Sequence, residues 1–318
     1  MRKFVRFFAV VLALPAFCAV ADAYPSKPIR IIVPFPGGTT TDSLSRILGQ
    51  SVSSAFGQPV VVENKAGADG AIGATGVAHS APDGYTLLIG TNSPMSVVPA
   101  MKKSPYDPVA DFTPITDIGR YTFFLYVNAE VPAKSFQELI AYAKANPGKL
   151  NYATGNTTGI VSFAQMNAFA GVEMVHVPYK GEPQGITDLV GGRVHLMWAT
   201  PATGLPHVKG GKLRALVTQL SKRSALLPEV PTIAEAGMPQ FTIVSWAGLF
   251  GPAKMPRDIV GRLNGEFAAA MNRPDVQAQI DRLGFALNPS TPEQLGVLVK
   301  EQMDSYRRIL RAAGVQPE

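Results

Sequence analysis

From Ile29 the chain runs as an apolar strand, Ile29-Arg30-Ile31-Ile32-Val33, into the turn Pro34-Phe35-Pro36-Gly37-Gly38-Thr39-Thr40-Thr41-Asp42, and from there into a helix. The helix is legible in Leu44, Ile47, Leu48, Val52 and Ala55, an apolar stripe of period 3.6. A strand feeding a helix through glycines and hydroxyls commits the chain to a β-α unit. It also builds an anion cradle, because the first N–H groups of a helix have no intrahelical partner and the dipole is positive there. Taken alone, the same residues equally serve a tight turn with Thr41 or Asp42 as N-cap. The rest of the chain has to decide between the two.

Short apolar runs alternate with amphipathic helices through most of the remaining chain, the pattern of α/β units on a parallel sheet. Strands are expected at 59–62, 86–89, 150–153, 175–177, 194–198 and 213–217. Two of them end in hydroxyl and amide residues: Thr91-Asn92-Ser93 after one, and Thr154-Gly155-Asn156-Thr157-Thr158-Gly159 after another. Both lie at carboxyl ends of strands, where open α/β sheets place their ligands. The second again precedes a helix, so two separate halves offer the same kind of donor-rich turn. The last third reads as mostly helical, and ordered crossings between the halves are expected near 121–127 and 238–250, a construction that permits hinge closure.

The N-terminus carries Arg2, Lys3 and Arg6, an apolar run over 7–20, and Ala21-Asp22-Ala23. This is the pattern of a secretory signal peptide cleaved after Ala23, and no later run approaches the ~20 residues of a spanning helix. Cys18 is the only cysteine of the chain. With it inside the leader, the mature chain is expected to hold no disulfide, thiolate zinc site or cysteine nucleophile. Removing the leader lowers the net charge from +6 to about +4. That excess is spread without a Lys/Arg block, which argues against nucleic acid. The remaining length exceeds the usual single core and suggests two domains.

The chain contains no G-x-S-x-G, H-E-x-x-H or P-loop pattern, and Gly67-Ala68-Asp69-Gly70-Ala71-Ile72-Gly73 has the wrong glycine spacing for a dinucleotide loop. His79, His176, His195 and His207 are scattered without metal-ligand spacing, and Asp42, Asp83 and Asp188 fall at helix or turn positions. No catalytic residue, metal site or cofactor is nominated.

These motifs jointly resemble the solute-binding proteins of tripartite tricarboxylate transporters, the Bug family. The resemblance rests on Pro34-Phe35 with Gly38 and Asp42, on Glu63-Asn64-Lys65-Ala66-Gly67-Ala68-Asp69-Gly70, and on Ala81-Pro82-Asp83-Gly84-Tyr85-Thr86-Leu87-Leu88. It continues through Val177-Pro178-Tyr179-Lys180-Gly181, Asp188-Leu189-Val190-Gly191-Gly192, Pro228-Glu229-Val230-Pro231-Thr232 and Trp246-Ala247-Gly248-Leu249-Phe250, in order along the chain from Tyr24. It implies an α/β, two-domain periplasmic binding protein of type II-like architecture, each domain a twisted sheet flanked by helices, with the ligand cleft between them. The division expected is a signal peptide at 1–23, a first domain from 24–122 plus 238–318, and a second from 123–237. The resemblance further implies a monomer that captures a small organic carboxylate and delivers it to membrane permease subunits; a sensor protein for a membrane signalling partner, or a secreted hydrolase, is the alternative.

The expected ligand contacts are Phe35, Pro36, Gly37, Gly38, Thr39, Thr40, Thr41 and Asp42 on the first turn, with Thr91, Asn92 and Ser93 beside it. From the second domain come Thr154, Gly155, Asn156, Thr157 and Thr158, then Tyr179 and Lys180, and Ala199 and Thr200. Trp246 is expected as an apolar wall. Relatives commonly carry an aspartate where this chain has Ala199 and Thr200, and an acid suits a ligand ammonium. Its replacement favours a dicarboxylate, or an aromatic acid such as terephthalate, over an amino acid.

Overall fold

The computed structural model describes residues 24–312; the leader expected at 1–23 lies outside the described residues. The elements run β1 (Ile29–Val33), α1 (Thr40–Phe56), β2 (Val60–Asn64), α2 (Ala71–Ala78), β3 (Thr86–Thr91), α3 (Val98–Met101), β4 (Phe112–Tyr121), β5 (Phe124–Asn128) and α4 (Phe136–Ala145). They continue as β6 (Asn151–Thr154), α5 (Thr157–Ala170), β7 (Val175–Pro178), α6 (Glu182–Val190), β8 (Leu196–Ala199), α7 (Pro201–Lys209) and β9 (Leu213–Thr218). The chain closes with β10 (Trp246–Pro252), α8 (Arg257–Met271), α9 (Pro274–Asp281), β11 (Phe285–Leu287) and α10 (Pro292–Ala312).

The strands form two sheets. One has the order β11-β4-β10-β3-β1-β2 and the other β7-β6-β8-β5-β9. In the first, β1 lies parallel to β2 and β3, and β10 runs antiparallel to both β3 and β4. In the second, β6 is parallel to β7 and β8, while β5 is antiparallel to β8 and β9. Helices cover the sheets, which is why β3, β8 and β10 are buried along their whole length.

Local rules account for the helices that reach the cleft. In α1, Thr39 caps the start, its side chain accepting from the Asp42 N–H at 3.3 Å, and Leu44, Leu48, Val52 and Phe56 bury one stripe. In α5 the Asn156 side chain accepts from the Gly159 N–H at 3.0 Å. Both helices follow directly from the carboxyl end of a strand, so both aim their N-termini along the same edge of their sheets.

The chain passes from the first sheet to the second across Thr122-Phe123, a link of two residues between β4 and β5. It returns along 219–245. Thr242 is still tied to the second lobe, its N–H donating to Gln165 Oε1 at 3.1 Å, whereas the Val244 carbonyl accepts from Tyr306 of α10 at 2.8 Å. The two crossings pair with each other through the Tyr121 N–H and the Ser245 carbonyl at 3.0 Å. Among the described residues no helix is long and apolar enough to cross a membrane.

Candidate functional site

The turn after β1 is held from below. Gly38 takes φ +81°, a conformation that favours glycine, and its N–H donates to Asp42 Oδ2 at 3.1 Å. Asp42 also accepts from Arg46 Nε at 3.1 Å and Asn64 Nδ2 at 3.0 Å, and Asn64 Nδ2 donates as well to the Phe35 carbonyl at 3.0 Å. Burial alone would raise the Asp42 carboxyl, but the bonds from Arg46, Gly38 and Asn64 bring it below the usual carboxylate range. Its oxygens are thus committed to the turn and to Arg46. Asp42 shapes the cradle without lining it.

Above this turn a cavity opens between the lobes, lined by Phe35, Thr39, Thr40 and Thr41 from the first turn, by Thr91, Asn92 and Ser93 after β3, and by Tyr121 and Phe123 at the first crossing. The second lobe contributes Gly155, Asn156, Thr158, Gly181, Glu182 and Thr200. Four helices, α1, α5, α6 and α7, begin at or beside these residues, so four positive dipole ends converge. None of the described residues lining the cavity is lysine, arginine or histidine. Negative charge is met here only by partial charges.

Two lining hydroxyls are left unanswered. Thr40 Oγ1 and Thr91 Oγ1 are buried and have no hydrogen-bond partner. A buried hydroxyl left unpaired is costly, so its persistence in pairs beside a helix N-terminus marks donors kept for something that enters. The other lining hydroxyls are already engaged. Thr41 Oγ1 bonds the Tyr121 hydroxyl at 2.8 Å, and burial pushes that phenol up, so it stays neutral.

Across the cleft Asn92 Nδ2 donates to Thr158 Oγ1 at 2.6 Å, and the hydroxyls of Ser93 and Thr157 bond each other. Backbones also meet closely. Across the cleft a Cβ on Gly181 would stand 2.8 Å from Pro36 Cγ, and within the second lobe one on Gly155 would stand 2.4 Å from the Glu182 nitrogen. Counted with its open mouth the cavity holds about 420 Å³ between atoms, and the bonds across the cleft hold the lobes together beside it. A ligand enters by separation of the lobes.

The structure therefore brings together Phe35, Thr39, Thr40, Thr41, Thr91, Asn92, Ser93, Gly155, Asn156, Thr158 and Thr200 of the expected contacts. Pro36, Gly37, Gly38 and Asp42 form the support of the first turn, and Thr157 bridges the lobes. Thr154 lies at the end of β6, its hydroxyl 2.7 Å from His176 Nε2. Tyr179 donates to Asp188 Oδ2 at 2.7 Å, Lys180 is exposed, and Ala199 ends β8 without lining the cavity. Trp246 is not a wall: it is fully buried in β10, packed near Phe250 with ring centroids 6.3 Å apart.

Three lining residues escape the sequence reading, Tyr121, Phe123 and Glu182, while Gly181 follows directly on the expected Tyr179 and Lys180. Glu182 places an acid in the cleft although Ala199 and Thr200 stand where relatives carry their aspartate. The carboxyl comes from the first turn of α6 instead of the end of β8. Its Oε2 accepts from the Thr200 N–H at 3.1 Å, from Thr200 Oγ1 at 2.7 Å and from Thr203 Oγ1 at 3.0 Å. Burial raises its pKa, and the Thr200 and Thr203 donors offset part of that rise. An acidic residue at a helix start is visible in the sequence; that it faces the cleft follows from how α6 packs on β8 and α7.

Among the described residues there is no cluster of histidine, cysteine and acidic side chains that would hold a metal ion. Known proteins place this geometry. The model of the tripartite tricarboxylate transporter family receptor matches residues 44–315. The chain is 34% identical over 303 residues to the protein BugT of Bordetella pertussis, covering 93% of this chain and 92% of BugT. Among solved structures it is similar to an R. palustris protein with adipate (33% identity, 93% of this chain and all of that one, TM-score 0.89). It is also similar to MatC of Rhodopseudomonas palustris with bound malate (31% identity, 90% of this chain and all of that one, TM-score 0.85). The periplasmic binding protein BugD superposes with TM-score 0.88 at 31% identity, covering 93% of this chain and all of BugD.

Proposed function

The chain belongs to the family of tripartite tricarboxylate transporter receptors, which are solute-binding proteins and not enzymes, and from that premise we propose that it captures a small organic dicarboxylate between its lobes. It does so in the periplasm and hands its cargo to a membrane permease. The observation that carries this reading is the pair of unpartnered hydroxyls, Thr40 and Thr91, beside the α1 N-terminus in a cavity without a cationic side chain. Hydroxyl and backbone donors satisfy a desolvated carboxylate without burying a countercharge.

One carboxylate sits against the start of α1, with Thr40, Thr41 and Thr91 around it and Phe35 as its apolar wall. The distal end meets the second lobe at Asn156, Thr158 and Glu182. Two solved relatives, one with adipate and one with bound malate, support a ligand with an anion at each end. Micromolar binding corresponds to roughly −8 kcal/mol, within reach of a few charge-assisted hydrogen bonds after ordering costs. Only tighter binding to the closed form draws the lobes together, and closure then exposes a surface unlike that of the open form.

The test is calorimetry on protein unfolded, refolded and so freed of carried ligand. Malate, succinate, adipate and terephthalate are titrated beside glutamate and the matching diamides. Saturable binding of one or more of the diacids, with none of their amides, is expected. Silence across all the acids overturns the reading.

A further inference from the structure

Resting on the dicarboxylate reading above, we propose that Glu182 meets the distal carboxylate as a neutral acid, so that each ligand enters together with one proton. The geometry divides the two oxygens of this side chain. Oε2 is saturated by three donors, from Thr200 N–H, Thr200 Oγ1 and Thr203 Oγ1, whereas no described residue bonds Oε1. Glu182 is only 5% exposed and lines the cavity. A proton on this carboxyl therefore resides on Oε1, the oxygen not taken by α7, and makes it a donor toward the cleft.

The surroundings supply no cationic side chain to balance a further negative charge. A dianion beside an ionised Glu182 would put three negative charges in a space lined by no lysine, arginine or histidine. The elements packed around α6 offer no relief. Tyr121 of β4, Tyr126 of β5 and Tyr152 of β6 are phenols raised by burial and hence neutral, and His176 of β7 is lowered by burial. On α6 itself Asp188 is bonded by Tyr179 and Arg193, and on α7 the basic His207 and Lys209 lie in the last turn, away from the cap. On α1, Asp42 is turned to Arg46. Burial of Glu182 already favours its protonated form, and an incoming anion favours it further.

The step is a proton taken from solvent onto Oε1 and held there as an O–H donor to the ligand oxygen; no other bond changes. It gives the site a preference for a second oxyanion over an ammonium. It also ties affinity to pH, with binding falling about tenfold per pH unit wherever the free carboxyl is ionised and the bound one is not.

The experiment is titration calorimetry of the full mature protein with malate, succinate and adipate from pH 6 to 9, repeated in phosphate and Tris buffers. The two buffers release different heats on giving up a proton, so their difference counts protons taken up. An uptake rising to about one per ligand is expected, with affinity falling about tenfold per unit on the alkaline side. Glu182→Gln supplies an amide oxygen to Thr200 and Thr203 and an N–H₂ group to the cleft, so its proton count and its pH slope should both vanish. Binding of a diacid with no proton uptake overturns the proposal while leaving the carboxylate reading standing. Binding of glutamate in preference to the diacids, lost in Glu182→Gln, overturns it by assigning an ionised Glu182 to an ammonium. If no diacid binds, both readings fall. Should Glu182→Gln not fold, the proton count of the unmodified protein still decides.

Discussion

Gly155→Ala sets one methyl group against the closest backbone approach in the second lobe. The added Cβ would stand 2.4 Å from the Glu182 nitrogen, 2.6 Å from the Gly181 carbonyl carbon and 2.9 Å from Glu182 Cα. All three are backbone atoms, so no side chain can swing aside. Ordinary contact requires the start of α6 to retreat by about 1 Å from the end of β6. Overpacking of this kind costs about 1–3 kcal/mol, which for a chain of this size lowers the melting temperature by about 2–5 °C. The retreat also moves two cavity walls, Gly181 and Glu182, and a lost charge-assisted hydrogen bond there weakens diacid binding by about ten- to a hundredfold. Gly76→Ala is the matched control. Gly76 sits in α2 with nothing within 4 Å of its Cβ, so alanine should stabilise by about 0.5–1 kcal/mol and leave binding untouched. Both variants are read by differential scanning calorimetry and by titration with the diacids. A Gly155→Ala protein that melts within about 1 °C of the parent and binds equally well refutes the close-approach argument.

Thr91→Val removes an unpaired buried hydroxyl, so melting should hold or rise slightly while diacid affinity drops about tenfold or more; unchanged affinity removes Thr91 from the cradle. Phe163→Ala deletes a fully buried ring stacked on Tyr152 at 4.1 Å, and urea unfolding should show a loss of about 3–5 kcal/mol. The Asp42 carboxyl lies below its usual range when folded, so its contribution is present above the ordinary carboxylate pKa and is lost as pH falls through the folded value. Melting followed from pH 6 to 3 should therefore fall less steeply in Asp42→Asn, and superimposable profiles would discard that account.

The parts legible in the sequence are those set by local rules. β1, its glycine turn and α1 announce themselves through apolar period, cap and hydroxyls, and the β6–α5 turn does the same. β4 and β10 are harder. Phe112–Tyr121 contains Pro114 and the pair Asp117 and Arg120, with Arg120 Nη1 2.8 Å from Asp117 Oδ2, so it does not read as a buried strand until its neighbours are known. β10 contains three residues that read as breakers, Gly248, Gly251 and Pro252, and its stretch reads as a crossing. Trp246 looks like a free aromatic wall for the same reason; strand pairing on both sides buries it. Tyr121 and Phe123 reach the cleft only because two crossings pair there, and no local pattern encodes that.

The position of β10 governs the order in which the molecule can be completed. It lies between β3 and β4 and is hydrogen-bonded to both, yet it is made only after the whole of the second sheet. A chain emerging from its N-terminus therefore holds β1 to β4 without the strand that joins them, leaving one edge of β3 and both edges of β4 unpaired and open to other chains. The second sheet, contiguous from β5 to β9, has every strand it needs by residue 218 and is free to close first. Completion of the first sheet, its buried core and the cleft thus waits for segments from the last quarter of the chain, β10 and then β11.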